Sequence, residues 1–123
     1  VIVTYTAGRQ HRDGDVTWET RTAEGPFYHG GRGRVRPGGR LTAGRRTNSW
    51  GDTRGRSTHV WFGDLQTAAL TALACRREHG RGYLYEVRPA ARHVEYAPDG
   101  FKTREPLIVI AVLDLDAALG AAM

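Results

Sequence analysis

"HVWFGDLQTAALTALACRREHGRGYLYEV", residues 59–87, holds three elements in one run and sets the fold class. "HVWF" (59–62) is short, β-branched and aromatic, as a strand would be. Asp64 is placed to cap a helix over about 65–79, because its carboxylate can accept from the free N–H groups of the first turn. Leu65, Ala68, Ala69, Ala72, Leu73 and Arg76 recur at helical spacing on one face, and the Arg76 stem can cover the core edge. Gly80 follows the last periodic residue and suits the left-handed conformation that ends a helix. "GYLYEV" (82–87) then reads as the next strand.

Towards the N-terminus, "VIVTYT" (1–6) and "VTWETRT" (16–22) alternate, with the turn signal Asp13-Gly14 between them. They predict a hairpin within residues 1–24. "PFYH" (26–29) is a further short strand. Residues 30–58 are mostly Gly, Arg, Ser and Thr, interrupted by "RLTAG", and read as one long loop. A loop of that length inside a compact domain points to function or disorder. "LIVIAVL" (107–113) is apolar throughout, which predicts a central strand, and "DLDAALGAAM" predicts a short terminal helix. The expected fold is one α+β domain, mostly β, with one main helix.

A chain of 123 residues with 40% hydrophobic content supports one packed core, not two. The single cysteine, Cys75, excludes an internal disulfide and a Cys-based metal site. Set in an Ala/Leu-rich stretch, it reads as a small core residue rather than a nucleophile. No apolar run is long enough to span a bilayer, so no membrane partner is expected. Of 18 basic residues only Lys102 is lysine, and the charge is local. Between Arg32 and Arg56 eight arginines face one acid, Asp52, a segment charge of +7 against +5 for the whole chain. Such a segment suits a phosphate or pyrophosphate group, or nucleic acid.

His29, at the end of an apolar strand, reads by default as a satisfied structural residue. Gly30-Gly31 after it permits close backbone approach to a ligand. His59 opens another strand and is equally bland, while His11, His79 and His93 sit on turns or ends. No His/Cys/Asp/Glu spacing matches a metal site. "GGRGRVRPGG" lacks the Lys-Ser/Thr ending of a P-loop. A catalytic carboxylate in the C-terminal half must come from Glu86, Glu95, Asp99, Glu105, Asp114 and Asp116.

Several separate stretches together resemble the rifampin ADP-ribosyltransferase family, small bacterial NAD-consuming enzymes. "GPFYHG" (25–30) is similar to its strand ending in His-Gly. "GGRLTAGRRTN" (38–48) is similar to its Gly-x-Leu-(Thr/Val)-x-Gly segment leading to an Asn. "GRSTHVWF" (55–62), "GRGYLYEVRP" (80–89) and "TREPLIVIAVL" (103–113) follow in the family's order. The resemblance runs from about Gly25 to Leu113; residues 1–24 lie outside it as an N-terminal hairpin or extension, and residues 25–123 would form the ADP-ribosyltransferase-like domain.

The resemblance implies a compact split β-sheet core that clamps NAD, the co-substrate, between two small sheets without a metal. It implies a His-Tyr-acid triad in which His29 holds an adenosine-side ribose hydroxyl. Gly30 would hydrogen-bond the nicotinamide carboxamide through its backbone, and Trp61 stands where the family has its stacking tyrosine. Glu95 is the closest counterpart of the acid, with Asp99 next. Arg56, and after it Arg40 or Arg45, would contact the pyrophosphate. The chain departs from the family in its shortened loop, "YAPDGFK", before "REPL". The implied activity is ADP-ribosyl transfer to a rifamycin-type antibiotic by a cytoplasmic monomer. The alternatives are a toxin or effector domain, secreted or injected, that modifies a protein or nucleic acid; an RNA 2′-phosphotransferase-like enzyme; and a non-catalytic nucleic-acid-binding module.

Overall fold

A computed structural model describes residues 1–44 and 58–122. Nine strands form two sheets among these residues, with two helices, so the fold is α+β and mostly β. In chain order they are β1 (Ile2–Gln10), β2 (Val16–Glu24), β3 (Phe27–Gly31), β4 (Arg40–Leu41), β5 (Val60–Phe62) and α1 (Leu65–His79). β6 (Tyr83–Pro89), β7 (His93–Ala97), β8 (Gly100–Thr103), β9 (Leu107–Leu113) and α2 (Leu115–Ala122) follow.

The five-stranded sheet has the order β2-β1-β7-β8-β5 and the four-stranded sheet β3-β6-β9-β4. The hairpin β1–β2 pairs in register from Ile2↔Glu24 to Gln10↔Val16, closed by Gly14 at a φ of 90°. It joins the rest of its sheet through a parallel pairing of β1 with β7, in which Thr6 lies opposite Glu95. The apolar strand β9 lies inside its sheet, between β6 and β4.

Alternation along the strands sends one face of each sheet into a shared core. Val3, Phe27, Val60, Phe62, Tyr85, Val87, Val94, Leu107 and Val109 are buried there. Phe27 meets Phe62 edge-on at 5.5 Å, and Phe62 stacks on Phe101 at 5.6 Å.

The opposite face of the four-stranded sheet carries α1. Asp64 caps the helix by accepting from the Thr67 amide at 2.7 Å, and Gly80, at a φ of 79°, ends it. The buried face is small: Ala68, Ala69, Ala72 and Cys75. Small side chains let helix and sheet backbones come close, and two glycines take up that approach. A Cβ at Gly30 would lie 2.0 Å from the Ala68 carbonyl oxygen, and one at Gly82 would lie 1.8 Å from that of Ala72. α2 joins this second core through Leu115, so the chain packs two apolar clusters where its length led to the expectation of one, and its Asp116 pairs with Arg76 at 3.0 Å.

Candidate functional site at the sheet split

Among the described residues, one isolated backbone bridge joins the two sheets, beside β3. Tyr28 and Gly63 exchange both backbone hydrogen bonds, at 2.8 and 2.9 Å, and this antiparallel bridge stands alone. Its register would next set Gly30 opposite Trp61, but there the ladder stops and the strands part. Backbone groups point alternately to the two sides of a strand, so Gly30, two residues from Tyr28, turns its N–H and C=O into the split. Trp61, two residues from Gly63, does the same from the other side.

His29 spans the gap. Its Nδ1 lies 2.6 Å from the Trp61 carbonyl oxygen. A carbonyl only accepts, so Nδ1 carries the proton and Nε2 of the neutral ring is an acceptor. Burial of the ring holds its pKa below the ordinary histidine value, opposed in part by the bond to Trp61, which favours the neutral form at pH 7. Gly31 leaves Nε2 uncovered: a Cβ there would lie 3.0 Å from that nitrogen. The half-buried imidazole thus presents one lone pair to a hydroxyl donor.

Trp61 is not a core residue. Val60 and Phe62 on either side are buried, whereas Trp61 is 50% exposed on the other face of β5. Lys102, its partner on β8, sets Nζ 5.9 Å from the indole centroid, within cation–π range. Lys102 also pairs with Glu95 on β7, so Glu95 and Trp61 share a face two strands apart, roughly 10 Å by ordinary strand spacing. His59 ties this row together. Its largely buried ring donates from Nε2 to the Glu95 carboxylate at 2.7 Å, and its centroid lies 6.0 Å from that of Trp61. The Thr58 hydroxyl oxygen lies 2.8 Å from its Nδ1.

The geometry brings His29, Gly30 and Trp61 to the split and sets Glu95 on the face that carries the indole. Asp99 lies elsewhere, in the β7–β8 turn at the edge of a depression of about 510 Å³ whose lining includes Asp64 and Phe101 but none of those four residues. Arg40 sits on β4, at the far edge of the four-stranded sheet from His29. Arg45 and Arg56 lie outside the described residues.

Sequence reasoning read His59 as bland and gave Gly31, beyond close backbone approach, no role of its own. His59 falls two residues before Trp61 and therefore on the same strand face, the one available signal. The value of Gly31 depends on the rotamer of His29, which no local pattern encodes. No group of His, Cys, Asp or Glu side chains suited to a metal occurs among the described residues, and none of their helices is long and apolar enough to cross a membrane. Comparison with protein-family models and with curated proteins finds no match to this chain.

Proposed function

We propose that the chain is a mono-ADP-ribosyltransferase that takes NAD as co-substrate. One observation carries this reading: the split opposes Gly30 to Trp61 and places the acceptor nitrogen of His29 beside them. A primary carboxamide offers one acceptor and two donors, which complement the N–H and C=O of one strand-edge residue. In this reading Gly30 holds the carboxamide of nicotinamide, and the half-exposed Trp61 supplies a stacking surface for the ring. His29 accepts a ribose hydroxyl at Nε2. The nicotinamide–ribose bond breaks with its electron pair on the departing nitrogen, and the acceptor nucleophile bonds to the same carbon and releases its proton. Glu95, fixed by His59, supplies negative charge to the cationic sugar as that bond breaks.

A rifamycin-type antibiotic is the acceptor that the resemblance implies, and a macromolecular acceptor is the alternative within the same chemistry. The test is NAD consumption by the purified protein with rifampicin and, separately, with cell lysate. Mass spectrometry then identifies whatever gains ADP-ribose. Release of nicotinamide with a matching mass gain on an acceptor supports the reading; intact NAD under both conditions overturns it. A thermal shift with RNA at moderate salt, and none with NAD, would favour the nucleic-acid-binding alternative instead.

A further inference from the structure

The five-stranded sheet ends in β2, which pairs with β1 through nine consecutive partners without a bulge and with no other strand among the described residues. The ends of that ladder fix which way each peptide points. Gly25 donates to the Val1 carbonyl and His11 to the Asp15 carbonyl, so the odd-numbered residues of β2 turn their N–H and C=O groups towards β1. Val16, Trp18, Thr20, Thr22 and Glu24 turn theirs outward, where among the described residues no backbone group meets them. Edge strands are commonly blunted by shortness, proline, lysine or a bulge. β2 has nine residues and none of these devices. It adds exposed apolar surface at Val16 and at Trp18, which is 70% exposed and lies beside Gly8.

Glu19 and Arg21 lie on the face that β2 shares with Tyr5 and Ala7, and Arg21 donates to Glu19 at 3.0 Å. Charges on an edge ordinarily resist a foreign strand. Two of opposite sign flanking one residue favour a particular partner instead, the same strand turned end for end. Thr20 is the midpoint of Val16–Glu24. A two-fold axis through it sets Val16 opposite Glu24, Trp18 opposite Thr22 and Glu19 opposite Arg21 of the second copy. Every residue of the strand is then paired, and the outward groups form about ten backbone hydrogen bonds, two for each facing pair. Four charges alternate in sign across the seam, and opposite charges directly across a sheet stabilise it. A centre at Glu19 or at Arg21 would set like charges opposite each other, which destabilises.

We infer that β2 is a homodimer interface, pairing antiparallel with β2 of a second copy about Thr20 and joining two five-stranded sheets into one. The same patch serves on both sides, as a closed two-fold contact requires. The hairpin lies away from the split and outside the family resemblance, which implies a monomer, so the inference is independent of the transferase reading.

The test is sedimentation velocity of the full chain across a range of concentrations. The wild type should reach twice the chain mass. Thr20→Pro removes a donor that does not serve β1 and should leave a monomer. Glu19→Arg and Arg21→Glu each set like charges opposite one another at both symmetric positions and should weaken association about tenfold or more. The double reversal Glu19→Arg/Arg21→Glu recreates both contacts and should recover association to within about threefold of wild type. By hydrogen exchange, the Trp18 and Thr22 amides should be protected in the wild-type dimer and exposed in Thr20→Pro, with Glu19 and Arg21 protected in both. Should Thr20→Pro loosen the hairpin, seen as lost protection at Glu19 and Arg21, the charge reversals decide alone. A wild type that stays monomeric up to about 1 mM overturns the inference. So does a dimer that an intact Thr20→Pro hairpin leaves unchanged, or a double reversal that associates no better than the single ones.

Discussion

Gly30 carries two demands at once, and replacing it with alanine separates them. A methyl group there would sit 2.0 Å from the Ala68 carbonyl oxygen and 2.7 Å from the Ala72 amide nitrogen, both backbone atoms of α1. Ordinary contact begins near 3.4 Å, so strand and helix must separate by about 1.4 Å, the difference between 3.4 and 2.0. No rotamer relieves the clash, because neither atom belongs to a side chain. Overpacking of this kind costs about 1–3 kcal/mol, and at backbone the upper end applies. Removing glycine from a strand offsets about 0.5–1 kcal/mol of that through the unfolded chain. The expected net loss is about 2 kcal/mol, a large part of the stability of a domain this size.

In urea, with a slope of about 2 kcal/mol per molar, the midpoint should fall by about 1 M with the slope unchanged. Gly33→Ala is the control, since nothing lies within 4 Å of a Cβ at that site. It should stay within about 0.5 kcal/mol of wild type. A Gly30→Ala midpoint equal to that of Gly33→Ala would refute the close seating of α1 on β3, and with it the geometry that opens the split.

His29 should titrate below the ordinary histidine value and, by nitrogen NMR, carry its proton on Nδ1; an Nε2–H tautomer would contradict the reading of the split. Because its folded pKa is depressed, its contribution to stability should be full above about pH 6.5 and fall as pH drops towards that folded value, a slope that His29→Asn should reduce in pH-dependent urea melts. Trp61→Ala should weaken NAD binding by about 1–3 kcal/mol while Trp61→Tyr keeps most of it, and equal affinity for all three proteins would show that the indole does not stack on the ligand. Glu95→Gln should cut NAD turnover roughly a hundredfold with little change in affinity, whereas unaltered turnover would remove Glu95 from the chemistry. His59→Phe should lower turnover in the same sense with KM unchanged if it positions Glu95, and His59→Gln, which keeps a donor, should recover part of the loss.

Local chemistry made much of this fold legible. Asp64 and Gly80 bound α1 as their side-chain oxygen and missing Cβ require, and "LIVIAVL" coincides with β9 over residues 107–113. Cys75 is buried on α1, as its Ala/Leu setting implied. The strands β7 and β8 were harder to see: five and four residues long, they follow a polar stretch and join through Pro98 and Asp99 with little apolar alternation. The parallel pairing of β1 with β7 joins segments almost ninety positions apart, and no pattern within either segment specifies it. The same limit applies to the row His59, Trp61, Lys102 and Glu95. Each residue is ordinary within its own strand, and only sheet register makes them neighbours.

The split itself follows from a competition that sequence spacing does not display. Gly30 and Gly82 let α1 press onto the backbone of β3 and the chain beside β6, which draws β3 towards the helix layer. β5 is held from the other side by its pairing with β8, where Val60↔Thr103 and Phe62↔Phe101 fix it to the five-stranded sheet. Gly63, the residue of the bridge, immediately precedes the cap of α1, so the chain leaves β5 there and the ladder does not run on towards Pro26. Beyond Tyr28 the two strands answer to different cores and diverge. Their facing peptide groups are left without a ladder, and buried polar groups need partners. His29 satisfies one of them, the Trp61 carbonyl, with a side chain long enough to cross the gap. Valine or isoleucine would suit the strand better by propensity but would leave that carbonyl unbonded. Histidine at this position therefore has a structural reason that also fixes its tautomer. The nitrogen offered to a ligand is acceptor-only as a consequence of how the fold closes its own seam.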